Sequence, residues 1–234
     1  MIARTTDRRW AARPREVLVT LRLVLGLLLV PLADPAAAAP APTAEPWPRW
    51  QAHDPASADR IDHGPFAAFL RAYRRPQPDG TAPLAYGAVT PADRRALQDY
   101  IAALASLRVS GLARPEQLAY WLNLHNALTI EVVLAHYPVR SVRDIDISPG
   151  RPGRGPWGAD LVTVEGERLS LDDIEHRIVR PIWRDPRVHY AIACAARGCP
   201  DPPAEPFAGE RVEDQLDAAA VAFAQTRAAV VLAA

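Results

Sequence analysis

Lysine is missing altogether: all 27 basic residues of this 234-residue chain are arginine. That excludes Schiff-base chemistry and lysine general bases. Net charge is missing too, since 27 acidic residues balance the arginines. No basic field is available to hold a nucleic acid and no acidic tail to hold a basic partner. Cysteine is nearly absent, with Cys194 and Cys199 alone, close together in CAARGCP. No HExxH or second cysteine pair is present, so a metal site built from His125, His176, His189 and Glu175 has no recognised ligand spacing behind it. No metal or other cofactor is expected, and no internal repeat is found.

What is present is enough apolar residue, 49% of the chain, for one core with an N-terminal extension and too little for two full domains. Residues 1–38 read as an export signal: arginines at Arg4, Arg8, Arg9, Arg13 and Arg15, the apolar run VLVTLRLVLGLLLVPLA, then DPAAAAPAP. Cleavage after Ala38 is favoured over cleavage after Ala39, which would leave Pro40 first. The alternative is an uncleaved N-terminal anchor, the one membrane attachment foreseen. Arg8 and Arg9 match a twin-arginine signal in part, but they lie far from the apolar run, so the general secretory route is favoured. A periplasmic or secreted protein is therefore expected. Residues 39–60, rich in Pro and Ala, read as a linker, and 61–234 as a single domain.

Within the domain, PFAAFLRAYRR has helical spacing, and Thr90 followed by Pro91 reads as an N-cap and first helical position. The helix it opens has one apolar face at Leu97, Ile101, Leu104 and Leu107. From about Pro115 to His136 apolar residues cover almost the whole circumference, the pattern of a helix at the centre of a domain. SPGRPGRGPWGAD reads as a surface loop, LVTVEGERLSL as a hairpin turning at Glu165 and Gly166, and Ser170 with Asp173 as the cap of a helix over LDDIEHRIVRPIW. RVHYAIAC is expected to be a short strand, and ERVEDQLDAAAVAFAQ a last helix. The class is α+β, mostly helical, with a central buried helix and a small antiparallel sheet.

The central helix carries Asn123, His125 and Asn126. The two asparagines are three apart and share a face, while His125 points elsewhere. An unpaired buried amide costs roughly 1–3 kcal/mol, so partners are required. Two readings stay open: the amides clamp a loop's backbone, or they orient a catalytic imidazole or hold a substrate carbonyl. Glu175 and His176 are adjacent, so either could face inward, with His176 as a general base and Glu175 orienting it; a solvated pair of helix charges fits equally well. Cys194 and Cys199 read as a disulfide in an oxidising compartment. Alternatively Cys194, entering a loop, is a nucleophile. If a strand runs back along the helix from Arg187, His176 lies level with residues 189–190 and misses Cys194, and His189 faces away from Cys194 by alternation.

Five segments, YWLNLHNALTIEVVLAHYPVRSVRDI, PWG, LSLDDIEHRIVRP, DPRVHYAIACAARGCP and VEDQLDAAAVAFAQ, resemble in order the family called domain of unknown function 547, over residues 93–226. Its signature of W-x-N-x-(Tyr or His)-N, I-E-H and C-x4-C-P falls on Asn123, His125, Asn126, Glu175, His176, Cys194 and Cys199. Plant-type members of that family keep the I-E-H and the first cysteine, while serine can stand at the second. The resemblance thus implies that a disulfide is not the general purpose of the first cysteine. It raises a site role for Cys194, His176 and Glu175 and lowers it for His189 and Cys199. Members usually continue into further apolar segments, whereas this chain stops at RAAVVLAA, so a truncated C-terminus is expected.

Two functions follow. One is a thiol-dependent hydrolase or acyltransferase on peptide or amide bonds, taking a peptide or protein substrate, with Cys194 as nucleophile, His176 as base, Glu175 as its orienter and Asn123 or Asn126 as donor to substrate or oxyanion. The other is a non-catalytic envelope module with a Cys194–Cys199 bridge and a buried polar network.

Overall fold

The fold is built around α3 (Arg114–His136), and its sequence explains why. Every residue from Glu116 to Leu134 is buried except Glu131, which makes a 2.7 Å ion pair with Arg94. With no polar face to offer water, α3 is enclosed by other elements on all sides. Its position is that expected from the sequence. The computed structural model describes residues 45–150, 153, 155–196 and 198–226. The expected export signal and the RAAVVLAA tail lie outside the described residues. None of the described helices is long and apolar enough to cross a membrane.

α2 (Pro91–Ala105) packs on α3, and α1 (Gly64–Tyr73) packs on α2. Thr90 caps α2 as expected, its hydroxyl accepting from the Asp93 amide at 3.1 Å. Leu97, Tyr100 and Leu104 turn inward, while Ile101 and Leu107 are half-buried against the same core. The sheet is the antiparallel hairpin β1 (Val162–Val164) and β2 (Glu167–Leu169), paired Val162 with Leu169. Glu165 and Gly166 both have positive φ, 45° and 84°, as a two-residue primed turn requires. Glu165 is held in this unfavourable conformation by contacts of its own: Ser110 N donates to its carboxylate at 2.7 Å, and Arg49 donates to its carbonyl at 2.7 Å.

Arg49 belongs to a stretch whose composition reads as a linker, and here the structure corrects the reading. Trp50 is buried, edge-on to Trp121 of α3, and Trp47 N donates to Arg177 O. Two tryptophans with a core to enter override the Pro and Ala around them. The second correction is RVHYAIAC, which is not a strand. Asp185 accepts from Arg187 N at 2.8 Å and starts a turn that becomes the short helix α5 (Val188–Ala191). Among the described residues no strand lies alongside to pair with it. Arg187 then ties α5 to the last helix, α6 (Val212–Ala224), through Asp185, Glu213 and Asp217 at 2.5–2.7 Å.

The 3-10 turn Gly209–Arg211 lies directly on the first turn of α3. A Cβ at Gly209 would stand 2.8 Å from the Glu116 backbone, closer than real side chains come. Glu116 is itself buried, with Ile61 N donating to it at 2.8 Å, so it has no room to give. Gly209→Ala is expected to lower the unfolding free energy by about 1–3 kcal/mol through overpacking. Gly111→Ala, where a Cβ meets only the Arg108 side chain at 3.8 Å or beyond, should change it by less than about 0.5 kcal/mol. Urea titration of both variants checks this, and equal effects would show that the close approach is not limiting.

Candidate functional site

Asn123, His125 and Asn126, the polar trio in the middle of α3, have different duties. Asn123 grips the backbone of Phe207 in both directions, donating to its carbonyl at 2.8 Å and accepting from its amide at 2.9 Å. Its second amide hydrogen goes to His63 Nε2 at 3.2 Å. His63 Nε2 is therefore the acceptor, and Nδ1 carries the proton toward the Tyr100 hydroxyl 2.6 Å away. Burial pushes His63 down to about 4, against the opposing charge of Asp62. Asn126 does for a second loop what Asn123 does for the first, donating to Ala191 O at 2.9 Å and accepting from Ala193 N at 2.8 Å. Of the two readings open for these amides, the clamp is the one seen.

His125 is different. Its side chain is 1% exposed, Nδ1 lies 3.5 Å from Thr129 Oγ1 one turn on, and Nε2 has no hydrogen-bond partner. Burial pushes its pKa down to about 4, partly offset by Glu175 and reinforced by His176. Asn123 and Asn126 bind backbone; His125 is the member of the trio that lies within electrostatic reach of the I-E-H segment.

That segment is wound unusually. Ser170 and Asp173 form the expected capping box, each backbone amide donating to the other's side chain at 3.0 and 3.1 Å. From Asp173 to Val179 the helix is a π-helix, which then tightens into the α-helical turn α4 (Arg180–Trp183). In the wider winding, residues five apart come together. Arg180 accordingly donates to Glu175 at 2.6 and 3.0 Å and brings Nη2 within 3.4 Å of His189 Nδ1. His176 Nε2 stands 3.9 Å from Asp172 and 4.0 Å from Glu175, beyond hydrogen-bond length but within charge range. These three side chains are 18–25% exposed, so the cluster is reached from solvent while His125 lies sealed behind it.

Burial alone would raise the Glu175 carboxyl, but His125, His176 and Arg180 together outweigh it and hold Glu175 below the ordinary carboxylate range. Because His125 stays neutral down to about pH 4, it brings no positive charge to Glu175 at neutral pH, where the Arg180 guanidinium remains a permanent cation 2.6 Å away. The cluster offers a shielded carboxylate, an imidazole between two carboxylates and a buried neutral imidazole. Among the described residues no group of three His, Cys, Asp or Glu side chains is placed to hold a metal ion.

Cys194 and Cys199 form a disulfide, and neither cysteine is free. The bridge closes the loop that begins one residue after the Asn126 clamp. His125, Glu175 and His176 are thus brought together, and Asn126 sits beside the cysteine loop. Asn123 serves a separate loop at Phe207, and no hydrogen bond joins His176 to Cys194. Sequence reasoning missed Arg180, His63 and Tyr100. Arg180 follows Glu175 by five residues, a spacing outside the helical pairing rules, and nothing in the sequence marks His63 as the neighbour of Asn123.

The architecture is that of a mostly helical α+β domain with one buried signature helix, a half-shielded Glu-His cluster and a disulfide-closed loop. The chain belongs to the family described as protein of unknown function, DUF547, whose model matches residues 109–224. No curated protein and no solved structure matched the chain.

The two depressed histidines make stability depend on pH. Their folded pKa values, about 4, lie below the unfolded value of 6.5, so between those limits the unfolded chain binds more protons. Stability is full above pH 6.5 and falls as pH drops toward 4, and Glu175 adds a further loss below its ordinary range. His125 alone should cost about 2 kcal/mol between pH 7 and pH 5, and His125→Gln should remove that share. Urea unfolding at the two pH values tests it, and a variant with the same pH dependence as the parent would refute the assignment.

Proposed function

We propose that this chain is an exported, non-catalytic binding or scaffold module of the cell envelope, stapled by its disulfide and ordered by a buried polar network. The observation that carries the proposal is that four of the seven signature residues are already committed to architecture. Both cysteines are in one bridge, and Asn123 and Asn126 each hold a loop by its backbone amide and carbonyl. A site that needed these amides for substrate would have to release the loops that form it. Export is supported by the arginine-flanked apolar run at the N-terminus and agrees with an oxidised cysteine pair.

A second reading is favoured by one observation, the Glu175–His176–Asp172 cluster open to solvent. In it, a thiol reductant opens the bridge and is itself oxidised to a disulfide. The freed Cys194 thiol gives its proton to His176 and attacks a peptide or amide carbonyl, His176 passes that proton to the departing amine, and water or an acceptor nucleophile then releases the acyl group from Cys194. The protein would then be a thiol-dependent hydrolase or acyltransferase that is inactive while bridged.

Alkylation of the native exported protein with and without a mild thiol reductant, followed by mass spectrometry, separates the two. The module reading expects no alkylated cysteine in either case. It also expects Cys194→Ala to lose about 2 kcal/mol, the value for a short closed loop, and Asn126→Ala to lose about 1–3 kcal/mol by orphaning Ala191 O and Ala193 N. A Cys194 alkylated with an apparent pKa well below about 8.5, together with an unchanged melt for Cys194→Ala, would overturn it in favour of the thiol enzyme.

A further inference from the structure

A cavity of about 470 Å³ opens between the Tyr86–Ala88 turn, the start of α2 and the end of α3. Most of its wall precedes residue 109, where the family match begins, so it is a feature of this chain and not of the matched stretch. One side is apolar: Val89, Leu134 and the rings of Tyr86 and Tyr137, which stack at 6.4 Å with 23° between their planes. Tyr137 is 49% exposed, a large ring left standing in solvent beside the opening.

The polar rim is unequally committed. Arg94 and Gln98 both donate to Glu131, at 2.7 and 2.8 Å. Arg95 is exposed and, among the described residues, makes no ion pair or hydrogen bond, and neither tyrosine hydroxyl has a hydrogen-bond partner among them. Burial and the charge of Asp201 push Tyr86 up to about 12, so its hydroxyl remains a donor at any ordinary pH. Among the lining residues the groups left over are one cation and two hydroxyls; of the carboxylates nearby, Glu131 is taken up by Arg94 and Gln98, and Asp201 accepts from Ala82 N.

We propose that this cavity is a binding site for a small organic acid, its carboxylate held by Arg95 with a tyrosine hydroxyl and its aromatic or branched body lying on Tyr86, Tyr137, Val89 and Leu134. A cavity of this size with one apolar side and a few hydrogen-bond donors on its rim has the make-up of a small-molecule site. The forked guanidinium is the side chain best matched to a carboxylate.

The test is an NMR titration of the full chain with 3-phenylpropionate, with 3-phenylpropanamide as its uncharged counterpart. Saturable shifts at the Gly87 and Arg95 amides are expected for the acid, with binding about tenfold weaker or more for the amide and for Arg95→Ala. Arg95→Ala removes an exposed side chain without a partner, so the fold is retained. Gly87→Ala gives a second handle: its Cβ would stand 2.9 Å from the Tyr137 hydroxyl and displace the exposed ring, which should also weaken the acid. Absence of saturation, equal binding of acid and amide, or wild-type affinity in Arg95→Ala would each overturn the proposal.

Discussion

A helix enclosed on every side cannot leave a carboxamide without partners, because an unpaired buried donor or acceptor costs as much as a large part of a small domain's net stability. α3 carries three such groups, Gln117, Asn123 and Asn126, and the loops around it are arranged to meet them. The chain leaving α5 at Ala191 and the chain at Phe207 come to α3 with no strand to pair with among the described residues, and asparagine supplies what a neighbouring strand would have given. The same logic explains the scarcity of sheet among the described residues. With side chains performing the pairing, the second half of the chain can wrap the helix as irregular loops without stranding its amides.

Around this frame the I-E-H segment is held from both ends. Ser170 and Asp173 fix where the helix begins, and Arg177 joins that cap to the N-terminal stretch by stacking 4.3 Å over Trp47. Between cap and α4 the π winding turns Glu175 toward His125 and lets Arg180 reach it. An α-helical winding would separate residues five apart by well over a turn's angular step, leaving Glu175 buried without its guanidinium. The wide turn and the ion pair therefore depend on each other. Arginine fits this role because its fork binds the carboxylate through two nitrogens at once.

Much of this was legible in the sequence. Thr90-Pro91, the all-round apolar pattern of α3, the Glu165-Gly166 turn and the Ser170 cap each rest on local chemistry that the fold does not override. The gathering of His125 with Glu175 and His176 was foreshadowed by the family resemblance and not by spacing. What could not be read depends on neighbours. RVHYAIAC has the apolarity of a strand, but a strand needs a partner edge, and the Asp185 turn with the Asn126 clamp left it none. Trp47 and Trp50 looked like part of a linker because composition counts the Pro and Ala around them and is blind to the hollow beside Trp121. A π-turn has no sequence signature comparable to a cap or a turn dipeptide, so the Glu175–Arg180 pair emerged only with the backbone.

The Asn126 clamp also sets the scale of what the cysteine bridge governs. The amide grips Ala191 and Ala193 immediately before Cys194, so the chain is anchored to the core upstream of the disulfide independently of it. The bridge and the clamp are two fasteners in series, and the only backbone between Cys194 and its partner is residues 195–198. Opening the bridge therefore unties a flap of a few residues at the surface while the core behind it stays pinned, which makes this loop a separate small unit of stability within the domain.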